Sequence, residues 1–265
     1  IVTNKPQTTR NRICAVVNRE GCQFVFLDTP GLHKARTRLG DYMVKVVKES
    51  VADVDAVLLL VEPIPHIGGP EAELIRRIKE LNVPAVLVIN KIDTVEKEEL
   101  LSVMQVYGAA HDFAAIVPIS AKRNEGVDEL LGLLAQFLPE GPQLFPEDMV
   151  TDQPERQVCA EIIREKLLLC LDKEIPHGTA VEITTFSERD DGIIDLDATI
   201  YCEKASHKGI IIGKGGAMLK KISTLARTDI EAFMGTKVFL QTWVKVKENW
   251  RDNMNLIKNF GYRDE

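Results

Sequence analysis

The chain has 265 residues, 45% of them hydrophobic and 28% charged, which is enough for two domains that each bury a core. No apolar run approaches the roughly 20 residues of a membrane-spanning helix, so that class is excluded. A formal net charge of −7 argues against coating nucleic acid indiscriminately and confines any RNA binding to a local basic face.

Cys14, Cys22, Cys159, Cys170 and Cys202 form no C-x-x-C pair and mostly sit in apolar runs, which favours a reducing cytosol over a zinc or disulfide framework. The chain opens at Ile1-Val2-Thr3, with neither a methionine nor a secretory signal, and its start is expected to be truncated.

Taken in chain order, a polar segment with Thr8-Thr9-Arg10 precedes an apolar stretch, Ile13 to Val17. Gln23 to Asp28 reads as a buried strand running into a Thr29-Pro30-Gly31 turn, and a loop follows. Strands are then expected at Ala56 to Val61, Ala85 to Ile89 and Ile116 to Ile119, with helices at Glu71 to Leu81, Lys97 to Tyr107 and Val127 to Phe137. Continuous apolar strands between amphipathic helices imply an α/β fold with a parallel sheet covered on both faces, which binds ligands beyond the carboxyl ends of its strands.

Pro139, Gly141, Pro142 and Pro146 mark a linker, giving domains at 1–140 and 155–265 joined by 141–154. The second domain reads as a helix from Gln157 to Leu171, strands at Ala180 to Ser187 and Ile193 to Glu203, and Ile210 to Ile212 before a Gly213-Lys214-Gly215-Gly216 loop. A helix from Met218 to Phe233, a strand from Val238 to Val246 and a short terminal helix complete it. This is the α-β-β-α-α-β order of an α+β type II KH domain.

Asn90-Lys91-Ile92-Asp93 directly follows a strand, where a base would be held. The Asp93 carboxylate accepts both guanine N1–H and N2–H, a donor pair that adenine lacks. Lys91 would lay its stem over the ring, and Asn90 would tie neighbouring loops together. Ser120, Ala121 and Lys122 follow the next strand and offer backbone amides to the guanine carbonyl. Asp28 would hold magnesium through water, the Gly31 amide would meet a γ-phosphate, and a threonine hydroxyl, Thr9 in preference to Thr8, would complete the magnesium shell. Each motif alone also reads as an ordinary turn; their common order at successive strand ends favours a nucleotide switch.

Gln7-Thr8-Thr9-Arg10, Asp28-Thr29-Pro30-Gly31, Asn90-Lys91-Ile92-Asp93 and Ser120-Ala121-Lys122 together resemble the Era family of GTPases. The likeness continues through Phe145-Pro146-Glu147-Asp148, Glu161 to Lys166 and Trp243-Val244-Lys245-Val246-Lys247. It implies a P-loop GTPase-type sheet, GTP/GDP and Mg2+ as cofactors, and slow hydrolysis of GTP to GDP and phosphate. No G-x-x-x-x-G-K-[ST] loop appears, so the chain as printed is expected to be inactive and to bind GTP weakly. Leu32 stands where Ras-like enzymes place a water-orienting glutamine, and no side chain is assignable as general base.

The Gly213-Lys214-Gly215-Gly216 loop fits the KH G-x-x-G, where a bare backbone approaches phosphates. Lys204, Lys208, Lys214, Lys220, Lys221 and Arg227 lie around it with no acidic residue between 204 and 228, in an otherwise acidic chain. Ile211 and Ile212 would pack on bases or belong to the core. The five histidines show no ligand spacing and read as surface or loop residues, with His207 a candidate for the basic patch.

The resemblance implies binding near the 3′ end of 16S ribosomal RNA and a role in small-subunit (30S) assembly. It also implies a cytoplasmic monomer and, for the family, peripheral membrane association, for which no amphipathic basic helix here makes the case. Two other readings stay open: a nucleotide-free RNA-binding scaffold, and a tRNA-modification GTPase, against which the G-x-x-G segment counts.

Overall fold

The computed structural model describes residues 1–3, 5, 8–19, 21–31, 35–50, 54–81 and 83–262, apart from the Lys48 side chain. Two compact units emerge, one of residues 15–27 and 47–150, the other of residues 1–14, 28–46 and 151–265.

The first unit is built on three parallel strands, β3 (Val57–Val61), β4 (Ala85–Ile89) and β5 (Ala115–Pro118), with β4 in the middle. All five β4 residues are buried, as a continuous apolar run covered on both faces requires. The two-residue period divides them. Ala85, Leu87 and Ile89 meet α2 (Gly69–Leu81) and α3 (Lys97–Ala110) through Ile75, Ile78, Val103 and Tyr107. Val86 and Val88 face Phe24, Ile119 and the α4 residues Leu130 and Leu134 (α4, Val127–Leu134). The expected helix to Phe137 divides here, its last turn tightening to 3₁₀ at Ala135–Phe137. β1 (Ile13–Arg19) and β2 (Cys22–Asp28) pair separately, as a two-stranded sheet.

In the second unit β6 (Ala180–Glu188) pairs antiparallel with β7 (Ile194–Cys202), which pairs parallel with β8 (Val238–Val246). Leu196, Ala198, Ile200 and Cys202 alternate onto one face, beneath α5 (Glu155–Cys170), α6 (Ala205–Ile212) and α7 (Ala217–Met234). Part of the opposite face, at Ala180 and Tyr201, is covered by Trp250, Phe260, Tyr262 and α1 (Arg38–Glu49), from which Leu39, Tyr42, Met43 and Val46 contribute. A last helix, α8 (Met254–Asn259), adds Ile257.

α1 corrects the loop expected after Asp28. Thr37 caps it, its hydroxyl accepting from the Gly40 N–H at 3.2 Å, and its apolar residues recur at helical spacing. The stretch Ile210 to Ile212 is likewise the end of a longer helix, α6. All five cysteines are free thiols. Among the described residues no helix is long and apolar enough to cross a membrane.

Both tryptophans, Trp243 and Trp250, belong to the second unit, so tryptophan fluorescence follows its unfolding alone. Leu196 is fully buried on its central strand, and Leu196→Ala should cost about 2–5 kcal/mol, seen as a lowered urea midpoint of that signal.

Candidate nucleotide-switch and RNA-binding sites

In the first unit the residues expected to read a base converge at the carboxyl ends of β4 and β5. Asn90 follows β4 directly; its Oδ1 accepts from the Ala121 N–H at 3.0 Å and the Lys91 N–H at 2.8 Å, tying the two loops together as expected. Asp93 Oδ1 accepts from the Ser120 hydroxyl at 2.7 Å, and Arg123 Nε lies 3.8 Å from Oδ2. The Ser120 hydrogen bond holds the Asp93 carboxyl below the usual aspartate range, so it is ionised and able to accept from a base.

Ser120 itself is fully buried, whereas Ala121 and Lys122 are exposed. The Ala121 amide, expected to face a guanine carbonyl, donates to Asn90 here and would have to share that hydrogen. Lys91 takes a left-handed backbone (φ 67°), and its ammonium pairs with Glu62, so its stem must leave this partner to cover a ring.

Sequence reasoning missed Gly126. It sits at φ 74°, and a Cβ there would lie 2.7 Å from the Pro118 carbonyl oxygen, so only glycine closes the 120–126 turn against the end of β5. Positive-φ glycines leave a weak signal in one sequence, since any glycine in a loop looks alike.

The phosphate-side residues belong to the second unit. Thr9 Oγ1 donates to Asp28 Oδ2 at 2.9 Å. A hydroxyl and a carboxylate are hard oxygen donors, suited to magnesium that keeps waters and phosphate oxygens as its other ligands. Among the described residues no group of three or more His, Cys, Asp or Glu side chains could hold a metal ion. Thr8 points elsewhere: its hydroxyl donates to the Lys5 carbonyl at 2.8 Å and lies 2.7 Å from the Thr3 hydroxyl. That favours Thr9 over Thr8. Gly31 is exposed, while Gln7 and Leu32 lie outside the described residues.

The basic loop is also in this unit. Gly213 ends α6 at φ 74°, and a Cβ would meet Met218 at 2.7 Å from its Cβ and 2.9 Å from its backbone nitrogen. Gly215 and Gly216 also have positive φ, with open space around them, so the loop presents bare backbone at the start of the 18-residue α7. Lys204, Lys214, Lys220, Lys221 and Arg227 are exposed and Lys208 is half-buried. Among the described residues none of these six joins an ion pair.

Ile211 is corrected: it is fully buried, turned by α6 into the core with Ile222 and Ala226, and cannot reach a base. Ile212 is partly buried against that core. His177 is half-buried rather than a plain surface residue.

A parallel sheet with polar loops at its carboxyl ends, and a three-stranded sheet with a G-x-x-G loop before α7, define a GTPase fold joined to a KH fold. Two family profiles match in that order: the Elongation factor Tu GTP binding domain over residues 5–140 and the KH domain over residues 174–251. GTPase Era of Ruminiclostridium cellulolyticum is 51% identical over 263 residues, covering 99% of this chain and 88% of that protein. GTPase Era of Clostridium kluyveri is 50% identical over 99% of this chain and 90% of its own length.

Aquifex aeolicus Era bound to GDP and aluminium fluoride superposes with a TM-score of 0.95 at 36% identity, over 100% of this chain and 90% of that one. An Era complex with MgGDPNP and nucleotides 1506–1542 of 16S ribosomal RNA gives the same score, identity and coverage. The chain belongs to the Era family of GTPases, enzymes that hydrolyse GTP.

Asp93→Asn replaces one acceptor of the guanine pair by a donor. In the full-length protein it should weaken GDP binding by about a hundredfold and improve binding of xanthosine diphosphate, whose extra carbonyl accepts from an amide; titration calorimetry with both nucleotides checks this.

Proposed function

We propose that this protein is a GTP-hydrolysing switch that binds the 3′-end region of 16S ribosomal RNA through its G-x-x-G loop and assists assembly of the small ribosomal subunit. The observation that carries this reading is that Thr9 and Asp28 lie in the same compact unit as the KH elements. What happens at the γ-phosphate is therefore registered in the body that carries the RNA loop.

In this reading guanine is held by Asp93, with Asn90 and Ser120 fixing the loops around it and Lys91, Ala121 and Lys122 at its edge. Thr9 and Asp28 would hold magnesium, the aspartate through water, and the Gly31 amide would meet the γ-phosphate. Magnesium supplies charge neutralisation at the phosphates. The attacking water is oriented by backbone, ions or a bound partner, since no side chain is assigned as general base, and the intrinsic rate is slow.

The RNA side rests on Gly213, Lys214, Gly215 and Gly216, with Lys204, Lys208, Lys220 and Lys221 around them and Ile212 beside the loop. Bare glycine backbone and a helix start take phosphates, the free cations add salt-sensitive attraction, and specificity falls to hydrogen bonds with unstacked bases. The reading places the protein in the cytoplasm as a monomer.

The test is binding of labelled GTP and GDP by the full-length gene product, with an oligonucleotide from the 16S 3′ end titrated in parallel. Tight binding of guanine nucleotides together with the oligonucleotide supports the switch; RNA binding without nucleotide binding leaves only a scaffold. Lys214→Ala, Lys220→Ala and Lys221→Ala should each flatten the dependence of log affinity on log salt by about 0.7 where a phosphate contact is lost, and leave GDP affinity unchanged.

A further inference from the structure

Arg10 directly follows the threonine read as a magnesium ligand, and it is one of the few charged residues taken wholly out of solvent, at 2% exposure. Among the described residues no carboxylate receives it. One terminal nitrogen donates to the Thr179 carbonyl at 2.7 Å and the Tyr262 hydroxyl at 3.0 Å, and the other to the His177 carbonyl at 2.9 Å. Its guanidinium carbon lies 5.7 Å from the ring centroids of both Trp250 and Tyr262, which stack on each other at 6.2 Å, and Trp250 Nε1 donates to the Gly178 carbonyl at 2.9 Å. The 3₁₀ turn Pro176–Gly178 thus lends successive carbonyls to one cation and to the indole that flanks it.

The chain is also held on either side. The Thr8 carbonyl accepts from the guanidinium of Arg164 on α5, itself 1% exposed and paired with Glu161 at 2.6 Å. Burial alone would raise the Glu161 pKa, but the adjacent Arg164 outweighs it and keeps the carboxyl below its ordinary range, so the pair stays charged. Beyond Arg10, the Asn11 amide donates to the Gly261 carbonyl at 3.2 Å and its oxygen accepts from the Tyr42 hydroxyl at 3.0 Å. Anchors on residues 8, 10 and 11 leave Thr9 as the one residue of the four whose side chain faces the Asp28 carboxylate, 2.9 Å away.

Consecutive Cα atoms are fixed about 3.8 Å apart, so pinning both neighbours fixes where the Thr9 hydroxyl can reach. The partners that hold these anchors lie outside the nucleotide motifs. Tyr262 and Gly261 come from the C-terminal tail and Arg164 from α5.

We propose that Arg10, Arg164 and Tyr262 are positioning residues for Thr9: the tail and α5 hold the switch segment so that its threonine can complete the magnesium shell, which makes preference for the triphosphate depend on the chain's last residues. The inference rests on the reading of Thr9 as a magnesium ligand.

The experiment measures, in the full-length protein with magnesium, the ratio of affinities for a non-hydrolysable GTP analogue and for GDP. Tyr262→Phe keeps the ring and loses only the hydroxyl; Arg10→Lys keeps the charge but cannot span three acceptors. Both should lower the ratio severalfold, up to about tenfold, with GDP affinity unchanged, whereas loss of fold would weaken both nucleotides together. Thr9→Ala should lower the ratio by itself, and adding Tyr262→Phe to it should do nothing more.

If Thr9→Ala lowers the ratio while Arg10→Lys and Tyr262→Phe leave it at the wild-type value, the positioning role is overturned and the magnesium reading stands. If Thr9→Ala leaves the ratio unchanged, the magnesium reading falls and takes the inference with it.

Discussion

A buried guanidinium draws its compensation from the acceptors around it, and among the described residues those that receive Arg10 are all neutral: two carbonyls and a phenol hydroxyl. An uncompensated buried charge costs several kcal/mol, comparable to the net stability of a domain. The turn at Pro176–Gly178, the indole of Trp250 and the phenol of Tyr262 are arranged about it, and each is itself buried or held by a further hydrogen bond. Burial pulls the Arg10 pKa down, yet arginine keeps its proton at any working pH, so this seat must be present whenever the segment is in place. Through the adjacent residue, the cost of burying a cation becomes a constraint on the Thr9 hydroxyl.

The base-reading loops obey a different economy. There the polar groups lie at the edge of a dry sheet: β4 is wholly buried, and the first residue past its end, Asn90, is the bracket between two loops. Ser120 serves the carboxylate of Asp93, which remains ionised because a hydroxyl donates to it. In the proposed reading, selectivity for guanine rests on that charged acceptor pair, held by Ser120 beyond the end of a fully buried strand. The G-x-x-G loop reverses that logic in the proposed reading: it offers unsubstituted backbone, and lysines that form no ion pair among the described residues, to a ligand that brings its own negative charge.

Much of this was legible in the sequence where one element settles the matter locally. β4 and β8 begin and end where expected, at Ala85–Ile89 and Val238–Val246, since each is an apolar or alternating run cut off by polar residues or a turn. α1 was not, although its signs were present: Thr37 as a cap and Leu39, Tyr42, Met43, Val46 and Val47 at helical spacing. Its polar residues between them read as a loop after the Pro-Gly turn. Ile211 could be read either way, because an apolar triplet ahead of a glycine loop does not say which member a helix turns inward. The seat of Arg10 could not be read at all: its partners lie 167, 169 and 252 residues further along, and only the folded chain brings His177, Thr179 and Tyr262 to it.

If the switch segment and the C-terminal tail form one mechanical element, they should open together. Amide hydrogen exchange of the full-length protein, comparing peptides over residues 8–14 and 254–262 in the wild type and in Tyr262→Phe, decides this. Both peptides should lose protection together in the variant, while peptides over β4 keep theirs. Loosening of the tail with residues 8–14 protected as before would contradict it.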